Sequence, residues 1–114
     1  MYKNHHDALN GSSILDRWFK DNEIDQVDTK SILKGLVDLN LRISDILGKE
    51  YQIGHSYFMT KDLDIERLRR IIKYAIIPLI EHYFFGREEI LKEMRDICNT
   101  MVATPKSVPD EMSN

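Results

Sequence analysis

The residues with the most chemistry to offer stand in a row: Gly54, His55 and Ser56. A histidine can donate to an anion or accept a proton, a glycine lets backbone approach a ligand closely, and a serine adds a hydroxyl. The string GHSYF invites comparison with the G-x-S-x-G nucleophile elbow. Its fifth position is Phe58 rather than glycine, and no strand pattern precedes it. Adjacent His and Ser side chains diverge, so they form no catalytic dyad, and no third group is placed to orient the imidazole. Two readings remain open on the residues alone. In one, His55 is satisfied locally and fixes a turn. In the other, it meets a phosphate, helped by free N–H groups if a helix starts between Gly54 and Ser56.

Other candidates are weaker. Arg67, Arg69, Arg70 and Lys73 form a basic run. Arg67 and Arg70 share a helix face, as do Arg69 and Lys73. The run reads as a solvated face or as a contact to an acidic partner or a phosphate backbone. Acidic residues along the rest of the chain argue against autonomous DNA binding. His5 and His6 are adjacent and point apart, and His55 and His82 are isolated. With one cysteine, no four-ligand zinc set emerges. There is no G-x-x-x-x-G-K-[ST] and no G-x-G-x-x-G, so tight nucleotide binding by this chain alone is not expected. No catalytic residue, metal site or cofactor of its own is expected.

These side chains must be positioned by helices. The chain has 114 residues, 42% apolar and 31% charged, with net charge −3, which suits one soluble domain. Ser13 should cap a short helix with Ile14, Leu15, Trp18 and Phe19 on one face, anchored by Trp18. Asp28 should cap a second, with Ile32, Leu36, Leu39, Ile43 and Ile46 inward and Gly48 as its stop. Gly35, inside that stripe, suggests a close helix crossing. A third helix should run from about Asp64 to Phe85, with Ile65, Leu68, Ile72, Ala75, Ile76, Leu79 and Tyr83 inward and Ile71 and Ile80 beside them. Pro78 should kink or split it. Gly86 should turn the chain into a last helix to Thr100, with Ile90, Met94, Ile97 and Met101 inward and Leu91 and Cys98 beside them. The expected fold is all-α, a bundle of about four helices over residues 12–102, with loose tails at 1–11 and 103–114. A lone cysteine, a start without an apolar signal run, and a longest apolar segment far short of the ~20 residues of a membrane helix point to a cytoplasmic protein.

One set of residues is more specific. Leu39-Asn40-x-Arg42-Ile43, Leu47-Gly48-Lys49, Ile53-Gly54-His55-Ser56-Tyr57-Phe58, Ile77-Pro78-Leu79-Ile80-Glu81 and Tyr83-Phe84-Phe85 resemble, in order and spacing, the C-terminal end of the McrB-type AAA+ NTPases, the motor subunits of modification-dependent restriction systems. The resemblance covers about residues 29 to 90. It implies a helical lid lacking the Walker motifs that lie upstream in such motors. It further implies that Gly54, His55 and Ser56 lie near the nucleotide, GTP or ATP with magnesium, which the parent motor binds. The implied partners are the large AAA+ subdomain, neighbouring motor subunits and a nuclease subunit. Direct DNA contact stays open and no membrane is involved. A second expectation, from a different class, is a free-standing helical interaction module without catalytic activity.

Overall fold

The computed structural model describes residues 13–102; the expected tails and the His5–His6 pair lie outside them. Every regular element among the described residues is helical. In order they are α1 (residues 13–21), α2 (Thr29–Ile46), two 3-10 turns (Lys49–Tyr51 and His55–Phe58), α3 (Ile65–Ile71), a π-helical turn (Ile72–Ile76), α4 (Ile77–Tyr83) and α5 (Glu88–Met101). The all-α bundle expected from the sequence is the fold that forms.

Ser13 already lies inside α1, so it is not the cap expected of it. The helix ends in a Schellman closure: Ile24 N–H donates to the Phe19 carbonyl at 3.0 Å and Glu23 N–H to that of Lys20 at 3.2 Å. The left-handed position of the motif, φ 53°, is filled by Glu23 rather than glycine. Leu15 and Phe19 are the buried anchors. Trp18, expected in that role, is only partly buried and meets the Phe19 ring edge-on.

Asp28 caps α2 as expected, accepting from the Ser31 N–H at 3.3 Å and its hydroxyl at 2.9 Å. Ile32, Leu36, Leu39 and Ile43 enter the core. Gly35 marks the crossing with α5. A Cβ added there would collide with Met101 Cγ and come within 2.7 Å of its Sδ.

Pro78 divides the third helix without ending it. Proline lacks an N–H, and its ring crowds the carbonyl four residues back. The chain widens into the π turn just before it, where Ile77 N–H reaches the Ile72 carbonyl, five residues back. That changes the inward face. Leu68, Ile72, Ile76, Ile80 and Phe84 are buried at steps of four. Such steps drift around an ordinary helix of 3.6 residues per turn, and a wider turn offsets the drift. Ile80 is therefore central, while Leu79 and Tyr83, expected on the stripe, are only partly buried. In α5 the buried set is Leu91, Met94, Cys98 and Met101, with Ile90 and Ile97 at the margin, the reverse of the expected order. Two exposed ion pairs hold α5 in place: Arg42–Glu93 at 3.0 Å, to α2, and Arg95–Glu81 at 3.0 Å, to α4.

Three outcomes follow from this packing. Gly35→Ala should destabilise the domain by up to about 2 kcal/mol, the excess of overpacking strain of ~1–3 kcal/mol over alanine's helix-propensity gain of ~1 kcal/mol. Because Met101→Ala removes the collision, urea titrations should show the double variant losing less than the two single losses combined; additive losses would refute the crossing as the cause. Glu23→Gly should raise stability by about 1 kcal/mol by relieving the left-handed strain, read in the same titrations. Burial pushes the Cys98 thiol from its ordinary 9.0 up to about 12. The folded chain then keeps a proton that the unfolded chain loses, so this contribution is complete below pH 9 and disappears as pH climbs towards 12. A thiol reagent at pH 8 should fail to label Cys98 without denaturant, and the urea midpoint should fall above pH 9 less steeply in Cys98→Ala.

Candidate functional site

The expected site sits on a short arch between α2 and α3. Gly48, at φ 114°, turns the chain back at the end of α2, as its glycine predicted. The 3-10 turn Lys49–Tyr51 follows, and Gln52 and Gly54 are extended. An extended segment beside a helix has no strand to pair with, so its polar groups need side-chain partners. Asn40, 5% exposed on the inner face of α2, supplies them. Its Oδ1 accepts from the Ile53 N–H at 2.6 Å, and its Nδ2 donates to the Ile53 carbonyl at 2.9 Å. One helical turn on, Ser44 Oγ accepts from Gln52 Nε2 at 2.6 Å. The side chains of Ile53 and Phe58 are buried in the core. The arch from Gly54 to Tyr57 therefore springs from two fixed feet.

Along the arch, Gly54 and Ser56 are exposed and His55 is half-buried. Gly54, at φ −72°, adopts backbone open to any residue. A Cβ there would meet only Ser56 Oγ, at 3.9 Å, so the glycine leaves open space rather than relieving strain. The helix considered at this point is one 3-10 turn, His55–Phe58, too short to build a macrodipole. The His55 imidazole makes no hydrogen bond or ion pair with any described residue. Among the described residues, then, no side-chain bond fixes His55 to the turn. His55 and Ser56 are not bonded to each other.

α3 packs against the turn that carries His55. Tyr83, at the end of α4, meets the Tyr51 ring edge-on at 5.5 Å. Burial, then the neighbouring phenols of Tyr57 and Tyr51, raise the Tyr83 hydroxyl above its ordinary 10.0. Three tyrosines thus gather beside the arch, with Tyr51 and Tyr57 exposed.

The basic run lies on the exposed side of α3 and the π turn that follows it. Arg70 pairs with Glu66 at 2.9 Å, and Lys73 Nζ stands 5.3 Å from the centre of the exposed Tyr74 ring. The side chains of Arg67 and Arg69 bond to no described residue. The run and His55 share a helix junction but no side-chain bond joins them. Among the described residues no group of three or more His, Cys, Asp or Glu side chains could hold a metal ion, and no helix is long and apolar enough to cross a membrane. An open cleft between α1 and α2, floored by Phe19 and Leu33, contains none of the arch residues.

Sequence reasoning singled out the arch but not what holds it. The signal was present: Asn40 and Ser44, four residues apart, are polar residues on the buried stripe of α2.

Comparison with known proteins agrees with this layout. The family "McrB, alpha-helical lid domain" matches residues 31–92, which contain all of α2 but its first two residues, the arch, α3, α4 and the start of α5. The Type IV methyl-directed restriction enzyme EcoKMcrB subunit of Escherichia coli (strain K12) is 39% identical over 64 residues. That alignment covers 49% of this chain and 14% of the relative. No solved structure matches the chain. With more than half of its residues in the family match, including those that hold and form the arch, the chain belongs to the McrB alpha-helical lid domain family.

Proposed function

We infer that this chain serves as the lid of a McrB-like AAA+ motor in a restriction system, closing over a nucleotide bound by a separate large subdomain. The arch faces the phosphates, with His55 as donor and Gly54 leaving room for their approach. The nucleotide, GTP or ATP with magnesium, is held by the phosphate loop of the large subdomain, since this chain has none. Outer faces, including Arg67, Arg69, Arg70 and Lys73, contact neighbouring motor subunits, and a nuclease subunit joins through the assembled motor. The observation that carries the reading is the His55 imidazole, without a partner among the described residues, on an arch with both feet fixed.

One charge-assisted hydrogen bond contributes roughly 1.5–3 kcal/mol. Each 1.4 kcal/mol is tenfold, enough to shift a lid between open and closed positions. The test grafts the whole described bundle, residues 13–102, in place of the corresponding lid segment of the Escherichia coli subunit. In that chimera His55→Ala should lower nucleotide turnover or affinity about ten- to a hundredfold. The same substitution in the isolated chain should leave the melting temperature within about 2 °C of wild type, as His55 has no described partner to lose. Undiminished turnover and affinity in the chimera would remove the sensor role. The 114-residue chain alone should hydrolyse neither GTP nor ATP. The alternative, a helical module docking on an intact motor, draws on the exposed rings of Phe85 and Tyr74, 88% and 69% accessible. It predicts that His55→Ala is silent while Phe85→Ala abolishes association with the motor.

A further inference from the structure

Asn40 stands where the apolar stripe of α2 would accept a leucine, and the lid reading gives it no role. We propose that Asn40 is the positioning residue of the arch: by holding Ile53 from both sides it sets where His55 stands. This deepens the lid reading and rests on it only for its catalytic consequence. A carboxamide has the donor and acceptor of a peptide group, and here it meets Ile53 as a neighbouring strand would. Ser44 ties the preceding residue, Gln52, to the same face of α2. α2 is itself held to α5 by the close Gly35–Met101 crossing.

The two feet of the arch differ in kind. Phe58 is held by packing and by a bond within its own loop, its carbonyl accepting from the Thr60 N–H at 3.0 Å, so its hydrogen bonding ties it to no other described element. Ile53 is held by two directional bonds of 2.6 and 2.9 Å. Between the feet, no side chain from Gly54 to Tyr57 makes a hydrogen bond or ion pair with a described residue. Direction along the arch is therefore set at Ile53, two residues before His55.

Amide exchange and backbone relaxation of the 15N-labelled 114-residue chain test this without nucleotide. Asn40→Ala should speed exchange of the Ile53 amide about tenfold or more and lower the heteronuclear NOE of residues 54–57. Leu36→Ala, a core truncation on the same helix, should leave the arch at wild-type values at a temperature where circular dichroism shows both variants folded. Where Asn40→Ala does not fold, Asn40→Asp is read instead, because it keeps the acceptor for Ile53 N–H and loses the donor. A folded Asn40 variant with an unaltered arch overturns the proposal, as does equal loosening in Leu36→Ala. In the lid chimera, Asn40→Asp should lower turnover in the His55 background and add no further loss beside His55→Ala. An equal loss in both backgrounds overturns the positioning role. A silent His55→Ala beside a loosened Asn40 arch instead removes the nucleotide reading and leaves the positioning of the arch intact.

Discussion

The paired hydrogen bonds between the Asn40 carboxamide and the Ile53 backbone govern how the middle of this chain folds. Turning back from α2 exposes an extended stretch whose N–H and C=O groups would be costly to bury alone, at roughly 1–3 kcal/mol each. A buried asparagine without partners would carry a similar cost. Placed together, the two liabilities cancel, and no side-chain polar atom in the described core is left unsatisfied. Ile53 can then enter the core beside Leu39 and Ile43 while its backbone stays hydrogen-bonded. The residues after it, Gly54 to Tyr57, begin from a defined direction.

That arrangement requires α2 to be rigid against the rest of the bundle. Gly35 allows α5 to approach until Met101 covers the glycine itself, so that any side chain there would force the Met101 side chain to move. The ion pairs of α5 are two-fifths or more exposed, and pairs of that kind contribute about 0–1 kcal/mol. Close packing of α2 on α5 therefore outweighs them as the source of rigidity. On the other side, the π turn lets a single long helix pass Pro78 and keep Leu68, Ile72, Ile76, Ile80 and Phe84 facing inward. Tyr83 then reaches the arch from its far end.

Helical punctuation was legible in the sequence because caps and glycines act locally. Asp28, Gly48 and Gly86 perform the tasks their types suggest. Gly35 was legible too, since a glycine inside a helical stripe weakens the helix and is best tolerated where a neighbouring helix needs the room. Faces were less legible. In α5 the sets 90-94-97-101 and 91-94-98-101 share Met94 and Met101, and both repeat at helical spacing. Only the neighbouring helices choose between them. Periodicity also assumes 3.6 residues per turn, so the π turn moved Ile80 to the centre without any change in composition. The end of α1 had no glycine to announce it, because Glu23 tolerates the left-handed position instead. Of the site, the motif gave the arch by resemblance, while the clasp was hidden because a polar residue on an apolar stripe looks like noise until its partner thirteen residues away is seen.

Magnitudes bear on what such a site can do. Micromolar binding takes about 8 kcal/mol, whereas one charge-assisted hydrogen bond contributes about 1.5–3 kcal/mol. Even with stacking on Tyr51 or Tyr57, worth about 1–3 kcal/mol, an open arch falls short of holding a nucleotide unaided. A contribution of that size is well matched to a different task, biasing an equilibrium between two positions of a body whose ligand is bound elsewhere. Leverage then depends on stiffness. A donor on a loose loop would spend its bond energy on ordering the loop, since each immobilised backbone residue costs roughly 1–2 kcal/mol. With Ile53 and Phe58 already fixed by the fold, that cost is met in advance, and under the proposed lid function the small energy of a single imidazole contact would remain available to shift the equilibrium.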